Sequence, residues 1–98
     1  MVRRIDWGVV TAADVMRAIA EYDRLGAEDF FAVHGFAPAT TYRLVAGEGS
    51  YPPKAILGTA YELATGERLA SPDFEGGASG AVRILTALGF DVRPISAP

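Results

Sequence analysis

The sequence predicts an α+β fold, with about four helices and a small antiparallel sheet in the order ααββααβ, packed as a single compact domain. Three observations predict it. Two segments with apolar residues at helical spacing open the chain, a β-branched and aromatic segment with a glycine-rich turn follows, and two helical segments precede a short alternating end. Because 50% of the 98 residues are hydrophobic, we expect one core and one domain over residues 1–98.

The first two helices are predicted over residues 12–25 and 27–34. Thr11 and Asp14 resemble a capping box at the start of the first helix. Gly26 lies where a left-handed residue would end it. Its inward face is predicted from apolar residues that recur at helical spacing: Val15, Ile19, Tyr22 and Leu25.

Residues 41–51 predict a β-hairpin. A β-branched and aromatic strand is followed by a tight turn over residues 47–49 and a short return strand. Pro52 and Pro53 then stop strand pairing and set the dihedral angles of a helix start, where the missing N–H costs nothing. The third helix is therefore predicted from about Pro53 to Thr65.

The last two elements are a helix over residues 78–88 and a strand within residues 90–95. The helix has glycines before it and Gly89 after it, and its inward residues are expected to be Val82, Leu85 and Leu88. The final segment alternates apolar and polar residues, but Pro94 restricts it to an edge or terminal strand.

The charge balance and the absent residue types exclude several classes of protein. Nine basic and twelve acidic residues give a formal net charge of -3, so any contact with nucleic acid has to come from a local patch. There is no cysteine, which excludes disulfides and thiolate metal sites and suits a reducing cytoplasm. No segment resembles a signal peptide or a membrane span, so we expect a cytoplasmic protein without membrane contact.

Residues suited to catalysis or metal binding are scarce. The chain has a single histidine, His34, and we expect it at a helix end or on the surface rather than on a metal. No serine lies in a GxSxG motif, and no pair of acids stands out by its spacing. We therefore expect no enzymatic activity, no metal and no cofactor in this chain.

Lys54 is the sole lysine, and it falls in the first turn of the third predicted helix. A helix start favours acids, so a cation there is locally unfavourable. Two interpretations stay open. Lys54 is either a solvated residue beside a Tyr51 packed on the hairpin, or it faces a phosphate together with the donors Arg43, Ser50 and Tyr51. Four arginines are candidates to extend that cationic patch: Arg3, Arg4, Arg83 and Arg93.

The glycine turn before the last helix, "FEGGASG", is a second candidate for anion binding. Gly76, Gly77 and the hydroxyl of Ser79 loosely resemble a phosphate-binding turn, without the GxxxxGK[ST] or GxGxxG pattern. Open backbone N–H groups near a hydroxyl can take a DNA phosphate. The alternative is that Gly76, Gly77 and Gly80 serve backbone geometry alone, as a tight entry turn with close packing.

Two runs, in this order, carry a resemblance to a known family. The first contains Tyr-Pro-x-Lys-Ala-Ile at residues 51–56, and the second contains Phe-x-Gly-Gly at residues 74–77, followed by "VRILTALGFDV". Together they resemble the N-terminal head domain of McrA-like, type IV, modification-dependent HNH restriction endonucleases, over about residues 7–92. Glu75 departs from the pattern, because the Phe-x-Gly-Gly turn of the family is expected to carry a serine there.

The resemblance implies a non-catalytic, head-type DNA-binding domain, with the HNH nuclease domain of the parent protein outside this chain. Its partner would be double-stranded DNA, with modified (methylated) cytosine as the finer expectation. From the chemistry of the residues, we expect the hairpin and the third helix to face the duplex. Lys54 and Arg43 would hold phosphates, and Tyr42 or Tyr51 would meet a base edge or a methyl group.

The alternative function is a protein-interaction or dimerisation module that positions a nuclease domain. It requires an exposed apolar patch, for which Phe36, Leu69 and Phe74 are the candidates. Side-chain placement discriminates between the two functions. Clustering of Arg43 and Lys54 with further arginines favours DNA, and an uncharged apolar patch favours a protein partner.

Overall fold

The computed structural model describes residues 5–95, and the predicted order of elements is confirmed there. The helices are α1 (Ala12–Leu25), α2 (Ala27–His34), α3 (Pro53–Thr65) and α4 (Ala81–Ala87), and the strands are β1 (Tyr42–Ala46), β2 (Gly49–Tyr51) and β3 (Asp91–Pro94). Two short 3-10 turns, Trp7–Val9 and Ser71–Asp73, complete the described part of the chain.

The start of α1 is held by the capping box that the sequence predicts. Thr11 Oγ1 accepts a hydrogen bond from the N–H of Asp14 (3.2 Å), and Asp14 Oδ2 accepts one from the N–H of Thr11 (3.0 Å). The bond from the Thr11 backbone lowers the pKa of Asp14, against an opposing effect of burial. At the other end, Gly26 has the positive φ expected of a glycine there (+82°), but its ψ of 160° is not that of a left-handed helical residue, and it leads directly into α2.

The last helix begins three residues later than predicted, at Ala81 rather than residue 78. Gly80 has φ -118° and ψ -115°, and the carbonyl oxygen of Glu75 lies so close that a Cβ at Gly80 would overlap it. That carbonyl accepts the N–H of Ala81 (2.9 Å), so the chain turns sharply before the helix starts. The buried residues of α4 also differ in part from the expected set: they are Ala81, Ile84 and Leu85, whereas Val82 and Leu88 are only half-buried.

The described strands form an antiparallel sheet in the order β2-β1-β3, and β3 is an edge strand as predicted. Leu44 lies opposite Tyr51 on one side and Val92 on the other, and this inner face packs on the core. Because successive side chains alternate between the two faces of a sheet, Arg43 and Arg93, which are direct cross-strand partners, lie on the outer face.

The core lies between α1, α3 and the inner face of the sheet. Its largest fully buried side chains are Phe30, Leu44, Ile56, Leu57, Leu69, Leu85, Val15 and Thr59. The exposed apolar patch proposed for a protein-interaction module is wrong in its residues, because Phe36 and Leu69 are buried and Phe74 packs against the core. Among residues 5–95 the exposed large apolar side chains are instead Val9, Met16, Val33 and Ile95.

His34 is the last residue of α2, as expected for a histidine at a helix end, but it is buried rather than on the surface. Its Nε2 contacts the carboxylate of Glu21 on α1, and its Nδ1 lies 3.5 Å from Oε1 of Glu62 on α3. The imidazole also packs on the ring of Phe30, with 4.7 Å between centroids. This histidine therefore joins α1, α2 and α3.

None of the helices within residues 5–95 has the length and apolar character needed to cross a membrane.

Candidate nucleic-acid interface

A groove of about 330 Å³ opens at the start of α3. Its walls are the segment that precedes β1, the first turn of α3 and the glycine turn that precedes α4. The lining residues within the described chain are Phe36, Ala37, Pro38, Ala39, Thr40, Thr41, Tyr42, Pro53, Lys54, Ser71, Gly76 and Gly77. Among them Lys54 alone carries a charge, so the groove is cationic although the whole chain is acidic.

The start of α3 has no local partner for its N–H groups. The N-cap is Pro52, which makes no side-chain hydrogen bond, and the first turn contains no acid. The first helical bond runs from the N–H of Ile56 to the carbonyl of Pro52 (3.0 Å), so the N–H groups of Lys54 and Ala55 precede the helical ladder. Ala55 is fully buried, so only the N–H of Lys54 belongs to a residue that lines the groove. Together with the positive end of the helix dipole, it makes this start favourable for an anion.

Lys54 is held at the groove by contacts with the second sequence run. Its Nζ lies 5.2 Å from the centroid of the Phe74 ring, which is within range of a cation–π interaction. Its aliphatic stem packs on Gly76, where an added Cβ would lie 3.1 Å from Lys54 Cδ and 3.2 Å from Lys54 Cβ. The Tyr-Pro-x-Lys-Ala-Ile and Phe-x-Gly-Gly runs, which are distant in sequence, therefore meet at one lysine.

Four of the predicted site residues line this groove together: Tyr42, Lys54, Gly76 and Gly77. Sequence reasoning missed the hydroxyl residues Thr40, Thr41 and Ser71, which complete the wall. The two threonines directly precede β1, and Ser71 is the first residue of the second 3-10 turn. Only the tertiary fold brings these short segments to the start of α3, so no local sequence signal could have identified them.

The side chains of Ser79 and Glu75 are hydrogen-bonded to each other. Ser79 Oγ donates a hydrogen bond to Glu75 Oε2 (2.9 Å), and the carbonyl of Ser79 accepts one from Nε of Arg83 (3.4 Å). None of these three residues lines the groove. The carboxylate of Glu75, which departs from the family pattern, is therefore not part of the groove wall beside Lys54.

Tyr51 belongs to the core rather than to the surface. It is 8% exposed, and its hydroxyl donates to both carboxylate oxygens of Asp23 on α1 (2.9 and 3.0 Å). Burial, followed by the hydrogen bond to Asp23, raises the pKa of the Tyr51 phenol. The interpretation in which Tyr51 packs on the hairpin therefore describes it better than a contact with a base, and Tyr42 is left as the tyrosine at the groove.

The structure does not form the single cluster of Arg43 and Lys54 that the sequence reasoning expected. Tyr42 lines the groove with Lys54, and strand alternation turns Arg43 to the opposite side of β1, together with Ser50. Of the four candidate extensions, Arg83 is on α4, Arg93 lies opposite Arg43, and Arg3 and Arg4 are outside the described residues. The expected residues are thus divided between two surfaces.

Comparison with known proteins identifies similar chains. Residues 8–94 match the family described as the ScoMcrA-like N-terminal head domain. Among solved structures, the chain is similar to the type IV phosphorothioation-dependent restriction endonuclease ScoMcrA, with 32% sequence identity and a TM-score of 0.66 over 91% of this chain. The chain spans 14% of the length of that protein. No curated protein matches. The resemblance found in the sequence is confirmed, and all the groove residues fall within the matched range.

Proposed function

Because the chain belongs to the ScoMcrA-like N-terminal head-domain family, we propose that residues 1–98 form the non-catalytic, DNA-binding head of a type IV restriction endonuclease. The nuclease domain of the parent protein then lies outside these residues. The observation that carries the proposal is the groove at the start of α3, in which one lysine lies among hydroxyl side chains at the positive end of the helix dipole, without any lining carboxylate.

A DNA backbone phosphate is the ligand that fits these donors. It carries one negative charge, and its free oxygens accept hydrogen bonds from an ammonium group, from hydroxyls and from backbone N–H groups. The ammonium of Lys54 supplies the charge, and Thr40, Thr41 and Ser71 supply hydroxyls around it. A single phosphate contact of this kind contributes about 0.9 to the slope of log affinity against log salt.

The modification named for the related ScoMcrA is phosphorothioation, in which sulfur replaces a non-bridging oxygen of the backbone phosphate. Ammonium and N–H groups bond more strongly to oxygen than to the larger, softer sulfur, so we do not expect this groove to select sulfur. The finer expectation of methylated cytosine came from the resemblance alone, and the burial of Tyr51 removes one of the two tyrosines expected to meet a base edge or a methyl group. We propose that the head adds affinity for the backbone, and that the rest of the parent protein selects the modification.

The test is a fluorescence-anisotropy titration of the 98-residue chain with three duplexes of one sequence: unmodified, phosphorothioated and methylated at cytosine. Each titration is made at about 50 mM and about 200 mM salt. Lys54→Met keeps the aliphatic stem on Gly76 and removes the charge. Arg24→Gln is the matched control, because it removes one exposed charge from α1, which contributes no residue to the groove.

We expect similar binding of the three duplexes, and a salt slope that falls by about 0.9 in Lys54→Met but by much less in Arg24→Gln. Absence of binding at low salt, or equal effects of the two substitutions, would overturn the proposed function. A preference of the wild-type chain for one modified duplex would overturn only the claim that the head does not select the modification.

A further inference from the structure

Two arginines face each other on the outer side of the sheet. Arg43 on β1 and Arg93 on β3 are direct cross-strand partners, which places like charges side by side on one face. Like charges at directly opposite positions destabilise a sheet. The domain has a net charge of -3, so acidic residues outnumber basic ones. The pairing of Arg43 with Arg93 therefore lowers the stability of the free domain although its overall charge is negative.

The neighbouring acid compensates only one of the two arginines. Nε and Nη2 of Arg93 donate to Oδ2 of Asp91, two residues away on the same strand, at 2.9 and 2.7 Å. Arg43 makes no ion pair and no hydrogen bond through its guanidinium within residues 5–95. The outer face of the sheet thus keeps one uncompensated guanidinium, on a rigid strand with neighbours on both sides.

The residues around Arg43 suit a phosphate. Ser50 pairs with Val45 in the sheet, so the Ser50 hydroxyl is on the same outer face, and it is exposed. A guanidinium group presents several donors in a planar fork that matches two oxygens of a phosphate, which a point charge does not. The outer sheet face is defined here by Arg43, Val45, Ser50, Asp91 and Arg93. It offers the fork of Arg43 and the hydroxyl of Ser50, while the carboxylate on this face, that of Asp91, is bonded to Arg93.

We propose that the outer sheet face is a second binding surface, which holds a backbone phosphate of nucleic acid through Arg43. This inference rests on the proposed function, because DNA is the polyanion that a restriction-enzyme head meets. The groove and the outer sheet face lie on opposite sides of β1, where Tyr42 and Arg43 are consecutive residues. The head thus contacts the backbone at two separate phosphates, rather than at one cationic spot.

The proposal predicts opposite effects on stability and on binding. Arg43→Gln removes the repulsion with Arg93, so the melting temperature of the free chain should stay the same or rise, while the salt slope of DNA binding falls by about 0.9. Arg43→Lys keeps the charge without the fork, and we expect it to restore most of the slope but only part of the affinity. A purely structural role of Arg43 would lower stability in both variants and leave the slope unchanged.

The binding experiment compares Arg43→Gln, Lys54→Met, the double variant and the Arg24→Gln control, with the unmodified duplex at both salt concentrations. We expect the double variant to lose about 1.8 from the slope, twice the effect of each single change. NMR signals of residues 43, 50 and 93 should shift on addition of a short duplex, and those shifts should be lost in Arg43→Gln.

The two proposals fail in different ways. A slope that falls in Lys54→Met but not in Arg43→Gln overturns this inference and leaves the proposed function standing. A slope that falls in Arg43→Gln alone supports this inference and overturns the role of the groove. If the wild-type chain binds no DNA, both proposals are overturned. Shifts at residues 43, 50 and 93 with a polyglutamate peptide but not with the duplex would assign the outer sheet face to an acidic protein partner, which also overturns this inference.

Discussion

The two longest helices of the described chain begin in opposite ways. At α1 the capping box pairs the N–H groups of Thr11 and Asp14, and the first turn contains an acid. At α3 the N-cap is a proline without a side-chain hydrogen bond, the first turn contains no acid, and Lys54 stands where an acid would be favourable. Both helices pack into the same core, so packing does not require the difference.

The comparison distinguishes a helix start that is capped within the chain from one that is not. At the start of α1 the chain itself supplies a side-chain cap and an acid that matches the helix dipole. The start of α3 has neither a side-chain cap nor an acid, and its lysine raises the local positive potential further. A surface that is left electrostatically incomplete in the folded domain is a candidate for binding, and changes at the two helix starts should therefore have different consequences.

The largest effect is expected when α3 is given an acidic start like that of α1. Lys54→Glu replaces attraction by repulsion at the groove, so we expect DNA affinity at low salt to fall by at least about tenfold and the salt slope to fall by more than 0.9. Stability should change by less than about 0.5 kcal/mol, because the gain from the helix dipole offsets the lost cation–π contact with Phe74. Anisotropy and thermal unfolding measure the two effects.

The control for this reversal is Arg24→Glu, which makes the same change of charge on the exposed surface of α1. Long-range repulsion alone would weaken DNA binding equally in both variants. That result would show that the net charge of the domain, rather than the start of α3, determines affinity.

The next effect is on stability alone and concerns α1. Thr11→Ala removes the oxygen that accepts the N–H of Asp14, and loss of an N-cap of this type costs about 1 kcal/mol. For a domain of this size the melting temperature should fall by about 4–8 °C, while DNA binding at room temperature stays unchanged. Thr86→Ala, at an exposed position within α4, is the control and should not lower the melting temperature. Weaker binding by Thr11→Ala would contradict the division of roles between the two helix starts.

The sequence predicted the elements well because their signals are local. The capping box, the double proline and the glycines after the helices are read from adjacent residues, and α1, α2 and α3 begin and end where these signals place them. The start of α4 was missed because it depends on the approach of Glu75 to Gly80, which is a property of one turn and not of helical periodicity.

The candidate site was predicted only in part, because its assembly is not local. Lys54, Gly76 and Gly77 were identified by chemistry and by resemblance, and the fold does bring them together. Tyr51 was expected at the interface but is buried, because the residue pattern of a three-residue strand does not show which face of the strand packs on the core. Arg43 was grouped with Lys54 for the same reason: the register and the strand order, which separate them, are set by long-range pairing.

A smaller effect is expected in the pH dependence of stability. The folded-state pKa of Asp14 lies below its unfolded value, so its charged form stabilises the native state above the unfolded pKa of about 3.9, and this stabilisation is lost as the pH falls through the folded pKa. Asp14→Asn keeps an acceptor for the N–H of Thr11 and removes the charge. We expect it to be less stable than the wild type by under about 1 kcal/mol near neutral pH.

The difference in free energy of unfolding between the wild type and Asp14→Asn should shrink below about pH 4. Urea unfolding over that range measures it. The first turn of α3 contains no acid and adds no such loss. A constant difference at all pH values would mean that the charge of Asp14 does not stabilise the start of α1.

The smallest effect concerns two adjacent glycines beside Lys54. Neither Gly76 nor Gly77 has positive φ, so alanine meets no positive-φ strain at either position. A Cβ at Gly76 would lie 3.1 Å from Lys54 Cδ, whereas a Cβ at Gly77 would have no atom within 4 Å. Gly76→Ala must therefore push the flexible lysine stem aside, at a cost of about 0.5 kcal/mol, which corresponds to a little over twofold in affinity if the ammonium is aimed at a phosphate.

Two controls accompany this variant. Gly77→Ala should bind DNA like the wild type. Gly76→Ala in the Lys54→Met background should bind DNA like Lys54→Met alone, because the displaced group is then uncharged. Equal losses for the two alanines in the wild-type background would mean that the backbone of the glycine turn, rather than the position of Lys54, contacts the DNA.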